Sequence, residues 1–116
     1  MNPRPEVGAS VRGRQAGQLD VSGRVDYTNV AALRAEGEQW IATQPGPSLT
    51  IDLAALQAAN SLTISLLLCW LRAAAAADRT LCFDRVPAPL LSMMRVSGLD
   101  EVLPLCGPPE RADPMP

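Results

Sequence analysis

Along nearly the whole chain, apolar positions alternate, recur at helical spacing, and then alternate again. Near the start, Val7, Ala9 and Val11 alternate with Gly8, Ser10 and Arg12. Leu19 and Val21 alternate with Asp20 and Ser22, and the polar, glycine-containing RQAGQ lies between the two runs. Two alternating runs around a polar turn predict an N-terminal β-hairpin. Val30, Leu33, Gly37, Trp40 and Ile41 then share one face of a helix whose other face carries Arg34, Glu36, Glu38 and Gln39. Asp26, Tyr27, Thr28 and Asn29 supply candidate caps, and Pro45, Gly46 and Pro47 end the helix near Gln44.

The stretch from Ser48 to Ala77 organises the rest. Leu49, Ile51 and Leu53 alternate with Thr50 and Asp52, which predicts a third strand. Because a helix precedes it, this strand is expected to run parallel to the second, through a right-handed crossover. After the polar pair Asn60-Ser61, a helix is predicted from Leu62 to Ala77. Ile64, Leu67, Leu68 and Leu71 form one stripe, and Leu62, Leu66, Trp70 and Ala73 a second. A helix with two apolar stripes is either enclosed by its own domain or offers a face to a partner. Asp78-Arg79 breaks the alanine run, and Leu81-Cys82-Phe83 predicts a fourth strand. Pro87 suits the first turn of a third helix with Leu90, Met93, Met94 and Ser97 on one face, and Gly98 suits its left-handed C-cap. Leu99, Val102 and Leu103 are expected to pack a last turn onto the domain. The sum is a single α/β domain over 7–106, a four-stranded mixed sheet with an N-terminal hairpin and helices packed on it. Proline-bearing tails at 1–6 and 107–116 are expected to be flexible.

Composition narrows the function. With 47% hydrophobic residues but only two Trp, one Tyr and one Phe, the core must be aliphatic, and Trp40, Trp70, Met93 and Met94 read as packing residues. A net charge of −2 with scattered arginines argues against nucleic acid as a partner. The absence of histidine removes Ser-His and Cys-His nucleophilic pairs and His-ligated zinc. An enzyme built on Cys106 or Asp52 would need an activating neighbour that the sequence does not supply. No metal site or cofactor is expected. The three cysteines, Cys69, Cys82 and Cys106, are odd in number and lack C-x-x-C spacing. They read as reduced thiols in a cytosolic protein, with Cys69 and Cys82 in the core and Cys106 exposed. No export signal is expected, and the apolar run from Leu62 to Leu71 is half of the about 20 residues a membrane span needs.

The candidate site is the polar interruption. Ser61 would stand at the N-terminus of the second helix, where free N–H groups and the helix dipole favour an oxygen or an anion. Either Asn60 or Ser61 acts there as an ordinary N-cap, or Ser61 is a contact residue or phosphoacceptor. Tyr27 falls in a loop at the same end of the parallel strands, where α/β folds place their sites.

The element order, with LDVSGRVDYTNVAAL, LTIDLAALQAANSLTISLLLCWLRAA and LLSMMRVSGLDEVLPL, resembles the STAS domain, the family of anti-sigma-factor antagonists and related modules. The resemblance spans about Val7 to Leu105. The short form, the Leu-rich helix and the ending RVSGLDEVLPL are most similar to the accessory subunits of phospholipid-transport ABC complexes of Gram-negative bacteria. This implies a cytoplasmic, non-catalytic subunit, held at the inner membrane by its complex without inserting, that binds the ATPase subunit of an ABC transporter. Carried over by position, Asn60 matches the family's Asp and Ser61 its hydroxyl, while Leu62 and Thr63 stand where small residues are usual. The implied partner-binding set is Tyr27, Asn60, Ser61, Leu62, Thr63 and Leu66. Loss of the acidic and small residues favours steady binding. The alternative is an anti-sigma-factor antagonist phosphorylated on Ser61 by an anti-sigma factor kinase.

Overall fold

A computed structural model describes residues 8–57 and 59–106. Val7 and both proposed tails lie outside the described residues. Strands β1 (Ala9–Gln15) and β2 (Gln18–Gly23) form the antiparallel hairpin. Helix α1 (Val30–Thr43), strand β3 (Ser48–Leu56), helix α2 (Ser61–Ala76), strand β4 (Thr80–Asp84) and helix α3 (Ala88–Val96) follow. The sheet order is β1-β2-β3-β4, with β2, β3 and β4 mutually parallel. The expected mixed α/β sheet is therefore present, and α3 closes on Gly98 at φ +74°, in the left-handed region that favours glycine.

Strand alternation sorts the sheet into two unlike faces. Leu19 and Val21, Leu49, Ile51 and Leu53, and Leu81 and Phe83 are all buried and form the floor of the core. The other face carries Asp20, Asp52 and Asp84 as register neighbours on three adjacent strands. There Asp52 accepts from Arg85 Nη2 at 2.6 Å and Nε at 2.9 Å and lies 3.4 Å from Arg14 Nη2, while Arg14 Nε lies 3.0 Å from Asp20. Two guanidiniums thus compensate the row of carboxylates. Burial acts to raise the Asp52 carboxyl, but the Ala54 N–H and the two arginines together outweigh it and hold the group below the ordinary carboxylate value.

Strand β3 runs three residues past Leu53, the last apolar residue of its alternating run. Its pairing with β2 shifts between Asp20↔Asp52 and Ser22↔Ala55, so β3 carries an extra residue there. The Asp52 carboxylate accepts the Ala54 N–H at 2.9 Å within this irregularity. The shift reverses the alternation and turns Leu56 inward, where it is buried.

Both apolar stripes of α2 turn out to be covered in part. Leu66, Trp70 and Ala74 are buried together with Ile64 and Leu67. The device is Gly37 of α1: a Cβ there would lie 2.2 Å from the Trp70 ring, so only a glycine lets the two helices approach this closely. Trp70 Nε1 donates to the Arg34 carbonyl at 3.2 Å, which satisfies the one polar atom of a fully buried indole. The middle of the second stripe is thus enclosed by α1, while Leu62 at its start and Ala73 near its end stay half-buried.

The cysteines depart from expectation. Leu81 and Phe83 point into the core, so alternation directs Cys82 to the outer face of β4, where it is half-buried rather than a core thiol. After α3 the chain returns alongside β4: Phe83 N–H donates to the Pro104 carbonyl at 2.9 Å and Cys106 N–H to the Phe83 carbonyl at 2.8 Å. That return brings Cys82 and Cys106 together as a disulfide with Cα atoms 5.0 Å apart, and leaves Cys69 as the free, half-buried thiol. The reading of three reduced thiols is corrected accordingly.

Candidate functional site

The C-terminal ends of β2 and β3 feed two loops that lie side by side. In the first, the Asp26 carboxylate accepts the Thr28 N–H at 2.8 Å and the Thr28 hydroxyl, and the Asn29 side chain accepts the Asp26 N–H at 2.9 Å. The Thr28 hydroxyl and N–H hold the Asp26 carboxyl below its ordinary value. Among the candidate caps, Asp26 thus serves as a turn residue, and Asn29 precedes α1 without a side-chain cap. Tyr27, at the tip, is 83% exposed.

In the second loop Asn60 does two jobs. Its Oδ1 accepts the Thr63 N–H at 2.9 Å and the Thr63 hydroxyl at 3.1 Å, which caps α2. Its Nδ2 donates to the Val25 carbonyl at 2.9 Å, which ties this loop to the one carrying Tyr27. An aspartate in the same place could cap but could not donate. This is a structural reason for Asn at this position.

The cap question is therefore answered in favour of Asn60, and Ser61 is the exposed first residue of α2. Leu62 is half-buried. Thr63 and Leu66 are each 1% exposed and sit in the core, so neither is available on the surface of the folded domain. Of the six residues named from sequence, Tyr27 and Ser61 are open to a partner, Leu62 is partly so, and Asn60 braces them. A substitution of Thr63 by Glu or Lys would report on folding rather than on docking.

The structure adds residues that the pattern did not single out. One turn after Ser61, Ser65 is exposed, and Leu68 behind it is half-buried. On α3, Val96 is 89% exposed, and with Ser92, Met93 and Ser97 it lines an apolar dish of about 310 Å³. A smaller apolar cavity of about 190 Å³ lies between the end of β3 and the start of α3, lined by Leu56, Ala59, Pro87 and Leu90 among others. Periodicity could have found Val96, which falls off the Leu90–Met94 face. Among the described residues no cluster of three potential metal ligands occurs, and no helix is long and apolar enough to cross a membrane. Asp52 is engaged by two arginines and Cys106 by Cys82, so neither stands as a free base or nucleophile.

A four-stranded mixed sheet that opens with a hairpin, with three helices and a hydroxyl-bearing loop at the start of the second, defines a small α/β domain of the STAS kind. The profile of the MlaB STAS-domain family matches residues 9–105, and the chain belongs to the STAS domain family. Two solved relatives are chains of the Acinetobacter MlaFEDB complex in ATP-bound conformations. One is 31% identical over 77% of this chain and 93% of its own, with a TM-score of 0.66. The other is 29% identical over 80% and 97%, with a TM-score of 0.70. An anti-sigma factor antagonist from Mycobacterium paratuberculosis shares the fold at 22% identity, covering 93% of each chain with a TM-score of 0.69. A comparison with curated protein sequences returns no match.

Proposed function

We propose that this protein is a non-catalytic STAS subunit that docks the start of α2 and the outer face of α3 onto the ATPase subunit of an ABC-type phospholipid transporter, at the cytoplasmic side of the inner membrane. In this role it supports an ATPase like the MlaF component of the related complex, and thereby outer-membrane lipid asymmetry. The observation that carries the reading is exposed apolar surface on both elements: Tyr27, on the loop that Asn60 ties to the start of α2, and Val96, at the C-terminal end of α3, are almost fully exposed. The two Acinetobacter relatives support the choice of partner, since both are chains of a complex of this kind. The interface needs neither cofactor nor metal. Co-purification of the ATPase with Val96→Glu and Tyr27→Ala tests it, because both side chains are exposed and their loss leaves the core intact. Binding should fall at least tenfold for Val96→Glu while thermal stability is kept. Undiminished co-purification of a folded variant would remove α3 from the interface.

The second reading is an anti-sigma-factor antagonist switched by phosphorylation of Ser61. What favours it is the placement of that hydroxyl, exposed at a helix N-terminus where a phosphate is electrostatically welcome. Intact mass after incubation with a cognate anti-sigma factor kinase decides it. Phosphate on Ser61 supports the switch, and an unmodified chain rejects it.

A further inference from the structure

We propose that Cys82 and Cys106 form a reversible thiol–disulfide latch that fixes the Leu103–Cys106 segment along the outer edge of β4. Three observations point there. Strand β4 ends the sheet, and the returning segment covers its edge with one bridge, Phe83↔Leu105, and two backbone hydrogen bonds. So short a pairing is marginal by itself, and a covalent tie at its last residue changes its persistence. Both sulfurs belong to half-buried residues, so the bond is reachable rather than sealed in the core. Cys106 also lines an open cleft of about 550 Å³ together with Leu105, Asp84, Arg85 and Arg95. Arg95, on the wall of this cleft, would favour an anionic reagent there.

The co-reactant is a small anionic disulfide of the glutathione class. The Cys106 thiolate attacks one sulfur of oxidised glutathione, forming a mixed disulfide and expelling one glutathione thiolate. Cys82, as thiolate, then attacks the Cys106 sulfur and expels the second. The two protein thiols are oxidised and one glutathione disulfide is reduced to two thiols, which take up the two protons released by the cysteines. In a reducing compartment disulfides are transient and often regulatory, so the oxidised latch would form as that poise shifts. Only this compartmental setting rests on the proposed function; the chemistry is read without the partner.

The full-length chain is purified under reductant and equilibrated in glutathione buffers from fully reduced to fully oxidised. It is then quenched with N-ethylmaleimide and weighed intact. The expected result is three labels at the reduced end and one at the oxidised end, with the remaining label on Cys69 and a reversible transition between. Amide exchange at Phe83 and Cys106 should slow at least tenfold on oxidation. In Cys82→Ser the mixed disulfide should persist on Cys106. Three labels at every ratio, one label at every ratio, or no adduct on Cys106 in Cys82→Ser would each overturn the latch and leave the docking proposal untouched.

Discussion

Asn60 offers the most direct test of how the two site loops are held together. Asn60→Ala removes the cap of α2, a loss of about 1 kcal/mol. It also removes the amide donor to the Val25 carbonyl, on a residue with no solvent exposure. Leaving such a buried acceptor unpaired costs about 1–3 kcal/mol, so the variant should lose about 2–4 kcal/mol in total. Asn60→Asp separates the two roles. The carboxylate still accepts the Thr63 N–H and gains from the helix dipole by about 0.3–1 kcal/mol. It cannot donate, however, and its second oxygen faces the Val25 carbonyl oxygen at the distance now spanned by a hydrogen bond. The net loss should be about 1–2 kcal/mol, placing Asn60→Asp between wild type and Asn60→Ala. Urea unfolding with a common m-value reads the order, and for a domain of this size each kcal/mol lowers Tm by about 4–8 °C. If Asn60→Asp were as stable as wild type, the brace between the loops would contribute nothing, and the account of why Asn stands here would fail.

Other expectations follow from the packing. Gly37→Ala should destabilise despite its better helix propensity, because the Cβ meets the Trp70 ring and the helices must part, a net loss of about 1–2 kcal/mol by chemical denaturation. Relative to the oxidised protein, Cys106→Ser opens a loop closed across 24 positions and should lose about 3 kcal/mol, with the difference vanishing when both are measured in reductant. The lowered Asp52 carboxyl contributes stability that is present above the unfolded value of about 3.9 and is lost as pH falls through the lower folded value. Thermal melts should therefore weaken below about pH 4, and Asp52→Asn should flatten that dependence. Ser61→Asp should leave stability unchanged or slightly raised, since the added charge sits at a helix N-terminus, and should weaken ATPase binding in co-purification.

Local pattern was enough to name the elements of this protein. Alternation located four strands, helical spacing located three helices, and Pro45 to Pro47, Asp78-Arg79 and Gly98 marked where they stop, because these signals are carried by neighbours in the chain. The parallel order also followed, since a strand–helix–strand connection admits essentially one handedness. The candidate site at Asn60-Ser61 was named for the same reason, as a polar break between a strand and a helix. What tertiary structure decided were distances between residues far apart in sequence. Whether the Leu66–Trp70 stripe was buried or offered to a partner depended on Gly37, whose missing side chain signals nothing until a second helix crosses it. Asn60 proved to be a brace because Val25 stands 35 positions earlier and 2.9 Å away. Cys82 and Cys106 meet because the chain returns along β4, and no spacing rule encodes that return. Residue type and period set what each segment can be; only the close approach of remote segments set which polar atoms are paired, which apolar faces are closed, and which side chains remain for a partner to touch.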